Sequence, residues 1–103
     1  FAMPTQSLAA PGAADAGARE GRAYIRFTVA DRPGVLAEIA AATRDAGVSI
    51  ESLIQRGGPA DGGVYLVIVT HRCAEARVAD ALARLNGSDS LIAPPMLMHI
   101  LDF

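Results

Sequence analysis

Along "AYIRFTVA" the chain alternates: Ile25, Phe27 and Val29 fall on one side, Tyr24, Arg26 and Thr28 on the other. A period of two with one apolar side predicts a half-buried strand. At Val35 the period changes. Val35, Leu36, Ile39, Ala40, Thr43 and Ala46 make one helical stripe, with Glu38, Arg44 and Asp45 elsewhere, and Gly47 supplies the stop. "VSIESLIQR" alternates again, Val48, Ile50 and Ile54 against Ser49, Glu51 and Gln55. "GGPADGG" then reads as the loop of a hairpin. "VYLVIVTH" is continuously apolar and β-branched, which predicts a central strand covered on both faces. Ala74, Val78, Ala81, Leu82 and Leu85 recur at helical spacing up to Asn86-Gly87, and "PMLMHIL" is a final strand whose Met96 and Met98 share a face assigned to core packing.

The order is β-α-β-β-α-β. With right-handed crossovers this predicts an α+β ferredoxin-like sandwich, a four-stranded antiparallel sheet with two helices on one face. "AAPGAADAGAREG", Ala9–Gly21, has no apolar period and reads as a flexible linker. The folded domain is expected over Arg22–Phe103, with Phe1–Leu8 the tail of a preceding domain, since the chain opens on Phe and reads as a fragment.

Composition narrows the function. The 103 residues suffice for one core. Nine basic residues, all Arg, against 11 acidic ones give a net charge of −2 with no basic cluster, which argues against nucleic acid. Tyr24 and Phe27 on opposite faces cannot form a joint stacking platform for RNA. No apolar run reaches a membrane span, and the single Cys73 cannot close an internal disulfide, so a soluble protein of a reducing, cytoplasmic compartment is expected. His71 and Cys73 lie two apart, but zinc needs about four ligands, and only His99 and scattered carboxylates remain; no metal is expected. Cys73 falls where a Ser or Thr would cap the second helix. Asp31, Glu38, Glu51 and Asp61 are too dispersed for a catalytic pair.

The turn Asp31-Arg32-Pro33-Gly34 carries the candidate chemistry. Pro33 presets a helical φ in a first turn, and Gly34 removes a side chain where another molecule would come close. The amides of Gly34, Val35 and Leu36 then point out of the helix start, whose dipole favours an anion such as a carboxylate. The competing reading makes Asp31 a simple N-cap, contributing about 1 kcal/mol.

"RFTVADRPGVLAEIAAATRDAGVSIESLIQR" resembles an ACT domain, the small regulatory module that binds amino acids in metabolic enzymes. The match is carried by Asp31, Arg32, Pro33, Gly34, Val35 and Leu36, then Gly47, Val48, Ser49 and Ile50. "DRPGVLAEIA", "AGVSIESLIQRG" and "APPMLMHIL" are similar to the C-terminal region of bacterial homoserine dehydrogenases. The resemblance implies an effector held between two subunits by the turn of one and the start of the second strand of the other. The expected effector-binding set is Asp31, Arg32, Pro33, Gly34, Val35, Leu36, Ser49 and Ile50. Val29 stands where serine-binding modules of phosphoglycerate dehydrogenases have His, so serine is a poor fit and threonine is the effector implied. It further implies a homodimer through the strand Val48–Arg56. No catalytic residue and no cofactor is expected in this chain; NAD(P) is implied for a parent enzyme that reduces aspartate semialdehyde to homoserine.

Two other functions fit the pattern: a dimerisation module that binds nothing, and a small phosphatase on the same fold. The second suffers because Asp31 beside Arg32 would repel a phosphate.

Overall fold

The computed structural model describes residues 18–59 and 62–100, so the expected tail, most of the expected linker, and Ala60-Asp61 of the hairpin loop lie outside the described residues. Among the described residues the order is β1 (Glu20–Val29), α1 (Val35–Asp45), β2 (Ile50–Gly57), β3 (Val64–Thr70), β4 (Cys73–Ala74), α2 (Glu75–Leu85) and β5 (Met96–Ile100). The sheet runs β2-β3-β1-β5, every pairing antiparallel. This is the ferredoxin-like arrangement, with the two-residue β4 added on β1, where Glu20 and Gly21 face Ala74 and Cys73. β1 thus starts at Glu20, two residues before the expected boundary at Arg22.

The alternation in β1 decides the layering. Ala23, Ile25, Phe27 and Val29 are at most 2% exposed and meet Ile39, Val78, Ala81 and Leu85 of the helices. Tyr24, Arg26 and Thr28 look the other way and are half-buried. Helix α1 buries Val35, Ile39, Ala42 and Thr43, so the stripe is rotated from the expected one: Leu36 is 47% exposed and Ala40 is exposed. It ends in a Schellman motif. Gly47, at φ 78°, donates to Arg44 C=O and Val48 to Thr43 C=O.

On the sheet's other face one expectation holds in part and two fail. β3 is central, and the helices cover its Leu66 and Ile68 side; on the other face Val67 is buried at 6% while Tyr65 and Val69 on either side of it are half-buried, the Arg26 guanidinium lying over the Tyr65 ring. A bulge between Ile50 and Ser52 breaks the alternation of β2, so Ile50 packs against the core whereas Ile54 is 46% exposed opposite Val67. Met96 and Met98, paired with Arg26 and Tyr24, are 37% and 56% exposed and are not core residues.

The consequence for function is positional. The turn after β1 sits at the sheet end shared with Gly57 and Val64, while Ser49 sits at the opposite end, its carbonyl accepting from His71 N–H at 2.9 Å.

Candidate functional site

The turn is built differently from its sequence expectation. α1 starts at Val35 with Gly34 as its N-cap, so Pro33 precedes the helix and does not occupy its first turn. Gly34 has φ 88° and ψ −14°, the left-handed region that only glycine enters cheaply. A Cβ there would meet nothing within 4 Å, so the backbone conformation requires the glycine and the space beside it is open.

No side chain caps α1. Asp31 therefore does not do so, and among the described residues its exposed carboxylate has no hydrogen-bond or ion-pair partner. An uncapped helix start and an unpaired carboxylate side by side form a zwitterion's complement: amides for an anion, Asp31 for a cation.

Asp31, Arg32, Val35 and Leu36 line a cleft of about 80 Å3 over Val29, Val64 and Leu66, closed on one side by Gln55 of β2. Gln55 is a site residue the sequence reading missed, because only the β2-β3-β1 pairing brings it beside the turn. Val29, only 2% exposed, is floor and core together.

Ser49 and Ile50 are elsewhere. Ser49 lines a separate polar cleft of about 300 Å3 with His71, Arg72, Cys73 and Arg77. The 11 residues of α1 separate the two places, about 16 Å at 1.5 Å per residue. Within one chain the expected effector set is therefore split, Asp31 to Leu36 at one end and Ser49 with Ile50 at the other.

Cys73 is not the helix cap; Ala74 holds that position. Burial pushes the Cys73 thiol up, against the opposing pull of Arg77 and of a Thr70 hydrogen bond, which makes it a poor nucleophile at neutral pH.

A polar network behind the turn also went unforeseen. Glu38, in the first turn of α1, accepts from Ser88 Oγ and from Ser90 Oγ, the latter at 2.6 Å, and Ser90 Oγ in turn accepts from Arg32 Nη2 at 3.2 Å. The two serine hydrogen bonds, foremost that of Ser88, hold the Glu38 carboxyl below its ordinary value, with Arg32 helping and burial opposing. These partners are 50 to 58 residues apart in sequence, so no local pattern announces them.

The family model for the ACT domain matches residues 23–88. The chain belongs to the ACT domain family. This ACT domain is 36% identical over 82 residues to a homoserine dehydrogenase of Pseudomonas aeruginosa, 79% of this chain but 19% of the relative. A homoserine dehydrogenase of Neisseria gonorrhoeae is 37% identical over 77 residues, 75% of this chain and 18% of the relative. The chain spans about a fifth of the length of the curated relatives it matches. Among solved structures, a homoserine dehydrogenase from Thiobacillus denitrificans superposes with a TM-score of 0.74 at 28% identity, over 84% of this chain and 19% of that one. The ACT domain of a GTP pyrophosphokinase from Chlorobium tepidum superposes at 0.57 with 12% identity, over 80% of this chain and all of that one, and shows the fold alone.

Proposed function

We propose that this ACT domain is an amino-acid-binding regulatory module, that threonine is its effector, and that its parent is a homoserine dehydrogenase reducing aspartate semialdehyde to homoserine with NAD(P)H. The observation that carries the reading is the uncapped start of α1 beside Asp31, whose carboxylate has no partner among the described residues. The effector carboxylate would sit on the Gly34 to Leu36 amides near Arg32 and its ammonium against Asp31. The identity shared with homoserine dehydrogenases supports the parent and, through it, threonine.

The split site supports a two-chain arrangement. β2 is an outer strand, all but Ile50 exposed. Antiparallel pairing of two β2 edges about a two-fold axis sets Ser49 and Ile50 of one chain beside Gln55 and the turn of the other, twice over. Such pairing completes the cleft that one chain leaves open. A ligand spanning both chains binds only the assembled state, and any equilibrium coupled to assembly must shift with it.

The test is thermal unfolding at fixed protein concentration with L-threonine, L-serine, L-isoleucine, L-methionine or L-lysine. Threonine at about 100 times Kd should add about 2.7 kcal/mol. Asp31→Ala should abolish that gain while changing apo stability by no more than about 0.5 kcal/mol, because Asp31 is exposed and unpaired. A gain with serine and none with threonine, or a gain that survives Asp31→Ala, refutes the assignment. The absence of any gain favours a dimerisation module without ligand.

A further inference from the structure

Ser90 is a buried polar residue, 4% exposed, with every hydrogen-bonding group engaged. Its hydroxyl donates to Glu38 Oε1 and accepts from Arg32 Nη2. Its N–H donates to Ser88 Oγ at 3.1 Å, and its carbonyl accepts from Ala30 N–H at 2.8 Å, one residue before Asp31. Ile92 N–H donates to Thr28 C=O at 2.8 Å, and Leu91 bridges to Val29. The segment from Ser88 to Ile92 is thus laid along the end of β1 and grips the turn by its backbone and by one side chain.

A hydroxyl has one proton. Because Glu38 takes it, the lone pairs of Ser90 Oγ face Arg32, and among the described residues the guanidinium's remaining N–H groups have no hydrogen-bond partner. A guanidinium anchored at one nitrogen keeps the others for a carboxylate and loses less freedom in binding it.

We propose that Ser90 and Glu38 are positioning residues of the effector site, acting on an amino-acid carboxylate only through Arg32. The proposal rests on the reading of the turn as an effector site. Neither residue touches the ligand. What their side chains supply is the orientation of Arg32, while the Ser90 carbonyl holds the chain at Ala30.

The test is a set of L-threonine affinities measured by calorimetry for the wild type, Ser90→Ala, Glu38→Gln, Arg32→Ala, and Arg32→Ala combined with each of the other two. Each single substitution should weaken binding by about tenfold, the lower end for a hydrogen bond to a charged group. The doubles should be no weaker than Arg32→Ala, because residues acting through one partner are not additive. Additive losses, or singles that bind like the wild type, overturn the proposal. Amide hydrogen exchange of the ligand-free chain decides it independently of the effector's identity. Ser90→Ala and the exposed Glu38→Gln should both speed exchange at Ala30 to Arg32 and leave Gly47 to Ile50 unchanged. Unchanged exchange at Ala30 to Arg32 in both variants overturns it. If wild-type threonine binding is absent while exchange responds as expected, the effector assignment fails and the positioning of Arg32 stands.

Discussion

Replacing Gly34 by alanine probes the turn with nothing in the way of the added methyl group, since a Cβ at that position meets no atom within 4 Å. Whatever the substitution costs is therefore backbone energy. Holding a residue with a Cβ in the left-handed region costs roughly 1 to 2 kcal/mol, and Gly34 stands there at φ 88°. Against this, alanine loses less chain entropy on folding, a gain of about 0.4 to 1 kcal/mol. The net expectation is a loss of about 1 kcal/mol, which for a domain of this size lowers Tm by about 4 to 8 °C. Urea unfolding followed by circular dichroism reads it directly, with an unchanged m-value showing that the surface exposed on unfolding is the same. Threonine affinity should fall further than stability, because relaxing φ reorients the Gly34 and Val35 amides at the uncapped start of α1. A neutral or stabilising result would refute the argument, since the turn would then not require a left-handed residue.

Other substitutions separate packing from site. Thr70 is fully buried and its Oγ1 accepts from Ala23 N–H at 2.9 Å. Thr70→Val keeps the shape and strands that N–H, so denaturant unfolding should show a loss of about 1 to 3 kcal/mol. The Glu38 carboxyl is held below its ordinary value of 4.5, so its contribution is fully present above that value and disappears as pH falls through the lower folded-state value. The stability difference between wild type and Glu38→Gln should accordingly be flat at neutral pH and shrink below about pH 5. A difference that grows on acidification contradicts this. Cys73, its thiol pushed up by burial, should alkylate more slowly with iodoacetamide at neutral pH than free cysteine and speed up in urea.

The elements were legible in the sequence wherever one physical signal dominated. β1 alternates with a period of two, and Gly47 and Gly87 mark helix ends at φ 78° and 83°. The errors arose where tertiary pairing overrode local pattern. Continuous apolarity in β3 predicts two covered faces, and on the second face only Val67 is buried, with Tyr65 and Val69 half-buried. The alternation in β2 was followed through Glu51, where a bulge moves Ile54 to the opposite side. Preceding a helix makes Asp31 a candidate cap, but Gly34 takes that position, and the carboxylate has no partner among the described residues. The residues of the turn were named from the sequence. Gln55, Ser88 and Ser90 were not, because only the pairing of distant strands and the packing of the segment after α2 bring them to it.

The proposed effector site is one that two chains complete, and sedimentation velocity with and without L-threonine tests that most directly. Binding across a β2–β2 edge predicts that threonine lowers the dimer dissociation constant, and that Asp31→Ala removes the effect without preventing weak dimerisation at high concentration. Threonine bound by a chain that sediments as a monomer throughout would contradict it.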